Sequence, residues 1–180
     1  MSKINIGLTD EQRNAVIGLL NADLADLYLL LIKTKKYHWD VVGPQFRSLH
    51  ELWEEHYQSL TTNIDACAER IRMLGGFPLG TAEGFLKEAT IKEHPGDLPA
   101  ADEMVRRLVE DNETIIRNLR DHINKCSETY GDEGTSGFLT DLLEEHEEMA
   151  WMLRSFIEGQ TFEPNGSPSN VSSKSTVAAN

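Results

Sequence analysis

Four long stretches of this chain repeat their apolar residues at helical spacing, and each of them ends on glycine or proline. The first opens at Thr9, with Gln12 at the spacing of a capping box, and runs to about Tyr37 before Gly43-Pro44. The second runs from about Gln45 to Leu74 and meets Gly75-Gly76, with Pro78 behind. The third starts near Pro99, a residue suited to a first helical turn, and continues to about Tyr130. The fourth covers roughly Thr135 to Glu158 and stops at Gly159, and Thr81 to Ala89 leaves room for a short helix in the second link. Helices of about 24 to 30 residues are ~36–45 Å long. With no strand signal between them, the expected fold is all-α: a four-helix bundle whose long second link crosses the bundle. Residues 1–8 read as an N-terminal extension and 9–159 as the bundle. Residues 160–180, rich in Ser, Asn, Pro and Thr without periodicity, read as a disordered tail.

Charge narrows the partners. Thirty acidic against 17 basic residues give a net charge of −13, which repels phosphate backbones and anionic membranes and attracts cations. No basic start with an apolar run marks a signal peptide, and the longest apolar run, Leu24 to Ile32, is broken by Asp26. It falls short of the ~20 residues of a membrane span. The two cysteines, Cys67 and Cys126, lie inside helical patterns and read as reduced core thiols, which points to the cytoplasm.

The chemistry concentrates in the second helix. At 100° per residue, Leu49, Trp53, Leu60, Ile64, Cys67, Ile71 and Leu74 form one stripe that suits the core. His50, Glu54, Asp65 and Glu69 form another, about a third of a turn away. His50 with Glu54, and Asp65 with Glu69, are i,i+4 pairs, so each pair can aim two side chains at one ion. The pair midpoints lie about fifteen residues, or ~22 Å, apart along the helix, so one subunit cannot bring both pairs to one ion. An antiparallel copy related by a two-fold axis near Ser59 and Leu60 would set His50 and Glu54 opposite its Asp65 and Glu69, making two equivalent sites. His38, at the end of the first helix, faces inward with Leu20, Leu24, Leu27 and Leu31. It is either a third ligand or a satisfied core residue. Two imidazoles with carboxylates suit Fe(II), Zn(II) or Co(II) better than Ca(II) or Mg(II). On periodicity alone, the acidic stripe reads more readily as a solvated helix face than as a metal site.

Bundles that hold two irons inside one subunit use Glu-x-x-His pairs, and none of the six histidines has Glu three positions before it. His56, His94, His122 and His146 have no matching partners and are expected on the surface, as is Glu144 to Glu148.

The stretch HWDVVGPQFRSLHELWEE from His38, followed by DACAERIRMLGGFPLGT from Asp65, resembles the signature of the Dps family, the mini-ferritins named for DNA-binding proteins of starved cells. The resemblance spans about residues 9 to 159. It implies a hollow twelve-subunit shell built from dimers, with ferroxidase sites at dimer interfaces that oxidise Fe(II), preferably with hydrogen peroxide, and store ferric mineral. Carried over position by position, His38, His50 and Glu54 would come from one subunit and Asp65 and Glu69 from the other. The family more often has Asp where Glu54 stands, and the extra methylene bears on iron spacing and on zinc preference at the same site. Trp39 would lie beside the site, as an electron source or as packing at the dimer contact. Acidic residues at the start of the fourth helix line iron-access pores in the family, and Asp132, Asp141 and Glu145 match that region, although Gly137 stands where a further acid is expected. Only Lys3 and Lys174 offer basic charge in the terminal segments, which speaks against DNA compaction by lysine-rich tails. The alternatives are a DNA-compacting Dps protein and a helical interaction module without metal chemistry.

Overall fold

The computed structural model of the chain describes residues 4–158. The assigned tail lies outside them. Helices α1 (Asp10–Asp40), α2 (Phe46–Met73), α4 (Ala101–Asn124) and α5 (Glu133–Arg154) form the bundle, and the short α3 (Ala82–Glu88) sits in the second link. There is no strand among the described residues. The capping box forms as expected: Gln12 N donates to Thr9 Oγ1, and Thr9 N donates to Gln12 Oε1.

α1 packs along α2 and α4 along α5, while α2 and α5 touch only briefly. The crossing link is held to α1 from inside. The buried Asp26 carboxylate accepts from Thr90 N at 2.6 Å, Thr90 Oγ1 at 2.7 Å and Ile91 N at 3.1 Å. Tyr28 stacks on Phe85 of α3, with ring centres 4.1 Å apart. A residue that breaks the apolar run of α1 thus anchors the crossover.

The predicted core stripe of α2 is buried along its whole length, from Leu49 to Leu74, against Leu20, Leu24 and Leu27 of α1. Each such leucine contributes about 1.5–3 kcal/mol by leaving water. Cys67 and Cys126 are free and buried, and burial raises both thiol pKa values, that of Cys126 to about 12. By length and composition alone, α1 holds an 18-residue window apolar enough to cross a membrane, longer than the run from Leu24 to Ile32. Half of that window is buried inside the bundle.

The third helix differs from expectation at its end. From Lys125 to Thr129 the backbone widens into a π-turn, and Tyr130 N donates to Lys125 O at 3.0 Å. The chain reverses at Gly131, whose φ of 65° suits glycine, and delivers Asp132 to the start of α5.

Candidate metal centre

His38 lies in the last turn of α1 and His50 in the first turns of α2, joined by a short loop that turns at Gly43 with φ of 107°. Carbonyls in the last turn of a helix lack intrahelical donors. The His38 carbonyl is one of them, and it accepts from His50 Nδ1 at 2.8 Å. In return His38 Nδ1 donates to the His50 carbonyl, also at 2.8 Å. Since both acceptors are carbonyl oxygens, both Nδ1 atoms carry a proton, which leaves Nε2 as the nitrogen of each neutral ring that can bind a cation. The rings stack at 3.7 Å with 17° between their planes. Each imidazole is therefore fixed in tautomer and orientation by the other's backbone, as a ligating histidine requires.

The aromatic stack extends on both sides. Phe46 lies against His50 with ring centres 5.1 Å apart, and Tyr57 meets His38 edge-on at 5.2 Å. Tyr57 also donates its hydroxyl to Glu54 Oε1 at 3.0 Å. Gln58 Nε2 approaches the same oxygen at 3.4 Å. His38 is buried, His50 and Glu54 are half-buried, and Asp65 and Glu69 are exposed.

α2 runs without interruption through both i,i+4 pairs. The structure brings His38, His50 and Glu54 together at one end and leaves Asp65 and Glu69 at the other. Among the described residues no three His, Cys, Asp or Glu side chains of one subunit gather closely enough to hold a metal ion. The surface around these residues is apolar. Trp39 is 67% exposed and Val42 78%, and a groove beside Asp65 is lined by Tyr28, Leu31, Thr61 and Ile64.

The acids assigned to an access pore have different surroundings. Asp141 is exposed. Asp132 is buried with both oxygens engaged: it caps α5 by accepting from Thr135 N at 2.9 Å, and it also takes Thr135 Oγ1 at 2.6 Å and Arg70 Nη2 at 3.0 Å. Glu145 is half-buried and accepts from Ser59 and Asn63 of α2, both at 2.7 Å, so it departs from a solvated acidic run.

Three histidines expected on the surface are not there. His56 and His146 are buried, and burial lowers both to about pKa 4. His146 Nδ1 bonds to Asn112 Oδ1 at 2.8 Å. His122 pairs with the buried Asp23 at 2.9 Å; burial opposes its charge, but the hydrogen bond and charge of Asp23 prevail and raise its pKa. The signal was present in the sequence. His56 follows Trp53 by three and precedes Leu60 by four, and His146 stands at the same spacings from Leu143, Leu142 and Met149. His94 is exposed as expected.

A bundle of four long helices with a short helix in the link between the second and third is the architecture of ferritin-like proteins. A model of the ferritin-like domain matches residues 17–160. The chain is 67% identical over 177 residues to an uncharacterised low temperature-induced protein of Nostoc sp. PCC 7120, covering 98% of this chain and 99% of that one. It is 38% identical to DNA protection during starvation protein 2 of Bacillus anthracis, over 79% of this chain and 96% of that one. Among solved structures it resembles the Dps protein of Vibrio cholerae O1, described as a ferritin-like diiron-carboxylate protein, with TM-score 0.81, 34% identity and coverage of 88% and 98%. It also resembles DpsC of Streptomyces coelicolor, with TM-score 0.85, 29% identity and coverage of 90% and 94%. The chain belongs to the ferritin-like family and, within it, to the Dps proteins.

Proposed function

We propose that this protein is an iron-storing ferroxidase whose centres are completed by two copies of the chain. The observation that carries the reading is the reciprocal pair of His38 and His50, which fixes both imidazoles through Nδ1, with Glu54 one turn beyond His50 on the same helix. Three donors are too few for an oxidation site, and the exposed Asp65 and Glu69 of an antiparallel copy supply the remainder. This nitrogen and oxygen donor set fits Fe(II) and accepts Zn(II) equally.

Fe(II) is the substrate. Two Fe(II) held together give one electron each to one hydrogen peroxide, whose O–O bond breaks to leave two hydroxide ions and two Fe(III). Passing both electrons at one place avoids release of hydroxyl radical. The carboxylates neutralise much of the cationic charge, and the fixed imidazoles keep the donors in place as that charge rises. Ferric ions then hydrolyse and collect inside a shell of twelve subunits. Of the three acids assigned to uptake, Asp141 is the exposed one, which supports a role for it in meeting incoming cations. DNA is protected chemically, by removal of iron and peroxide.

The test adds Fe(II) anaerobically, then peroxide, and follows iron by size-exclusion chromatography for the wild type and for Asp65→Ala, Glu69→Ala. The wild type should carry soluble ferric iron in a large assembly. The variant should assemble equally and oxidise about tenfold or more slowly, in line with the loss of metal ligands. Equal rates in both proteins would remove the acidic pair from the centre. A small wild type that leaves iron to precipitate would end the storage reading.

A further inference from the structure

Glu54 poses a problem of reach. Its side chain has one more rotatable bond than aspartate, so an unrestrained Glu54 would spread its carboxylate over several positions and pay for ordering whenever a cation bound. The structure shows what restrains it. Tyr57, one turn further along α2, donates its hydroxyl to Glu54 Oε1 at 3.0 Å, and Gln58 Nε2 approaches the same oxygen at 3.4 Å. Neither contact involves Oε2, which stays free. Tyr57 is itself held. Its ring stands edge-on to His38 at 82°, and Lys35 Nζ lies 4.9 Å from the ring centre on α1. One side chain thus links the carboxylate on α2 to the imidazole on α1.

We infer that Tyr57 is the positioning residue of the shared centre, holding Glu54 so that it offers a single oxygen to the cation; the inference rests on the reading of that centre given above. The hydroxyl takes up one lone-pair site of Oε1 and leaves Oε2 as the oxygen free to meet the cation. The edge contact with His38 sets how far apart the Glu54 oxygen and the His38 Nε2 lie. The extra methylene of glutamate is thereby turned into a fixed length.

The experiment uses the assembled full-length apoprotein and Co(II) alone as probe, reading both affinity and the visible d–d spectrum, without oxidation. Tyr57→Phe keeps the ring against His38 and deletes only the donor. It should weaken Co(II) about tenfold or more, the scale of an outer-sphere hydrogen bond to a ligand, and change the spectrum. In a Glu54→Asp background, where the shorter carboxylate lies beyond the hydroxyl, the same substitution should cost less than about twofold. An equal cost in both backgrounds, or a Tyr57→Phe protein with wild-type affinity and spectrum, overturns the role of Tyr57. Asp65→Ala, Glu69→Ala serves as the control for the centre itself. If that variant keeps wild-type Co(II) binding, the shared centre fails and Tyr57 with it; if it loses binding while Tyr57→Phe does not, only the positioning role fails.

Discussion

Lowering the pH from about 7 to about 4.5 puts His56 and His146 in conflict with the fold. Both lie in the core, and burial lowers each from 6.5 to about 4. For His146, the charge of nearby Glu145 acts the opposite way and that of His56 adds a smaller opposition, but burial dominates. Between about pH 6.5 and 4 the unfolded chain therefore binds more protons than the folded one. The stability that depends on neutral imidazoles is complete above pH 6.5 and is lost as the pH falls toward 4. At pH 4.5 the loss is about 2–3 kcal/mol per histidine and about 5 kcal/mol for the two, or some 10–20 °C in Tm for a chain of this size. The perturbation that isolates it is His56→Phe with His146→Leu, which fills the two positions with apolar groups. The second change leaves Asn112 Oδ1 without its donor and costs about 1–3 kcal/mol at every pH, so the absolute Tm decides nothing. The informative quantity is the Tm of the variant minus that of the wild type, measured by circular dichroism across the range, because carboxylate titration cancels in it. That difference should rise by about 10–20 °C from pH 7 to pH 4.5. Parallel curves would refute the reasoning, and would mean that the folded protein protonates these imidazoles without strain.

Two further predictions concern the scaffold. Asp132→Ala removes the cap of α5 and strands Arg70 and Thr135, and should destabilise the chain by about 2–4 kcal/mol in denaturant titration, whereas Asp132→Asn, which still caps, should lose roughly half as much. Alanine should have opposite signs at two glycines. Gly18 lies mid-helix with open space where a Cβ would sit, so Gly18→Ala should stabilise by about 0.5–1 kcal/mol. Gly75 has φ of 92° and would set a Cβ 2.2 Å from Ile4 Cδ1, so Gly75→Ala should cost more than about 1 kcal/mol.

The helices were legible because burying one face of a helix imposes a period, and glycine or proline marks where the period ends. The same logic, applied only to apolar residues, hid part of the core. His56 and His146 keep the spacing of their leucine and tryptophan neighbours, and their inward placement follows from position rather than from residue type. Asp132 was ambiguous for the opposite reason: an acid at a helix start serves capping and cation attraction alike, and the capping is visible only in its contacts with Thr135 and Arg70. The candidate centre divides along a different line. Spacing exposed both i,i+4 pairs on α2 and the distance between them, but no spacing rule couples His38 to the carbonyl of a residue twelve positions away, because that bond depends on how the loop at Gly43 brings two helix ends together. On the reading proposed here, the two halves of the centre are built by different events. Folding of one chain fixes the imidazoles and Glu54 in advance, while Asp65 and Glu69 stay solvated until a second copy arrives. A centre made this way is assembled and switched on in the same step, so an isolated subunit would hold its histidines ready and still have no place where two Fe(II) could react together.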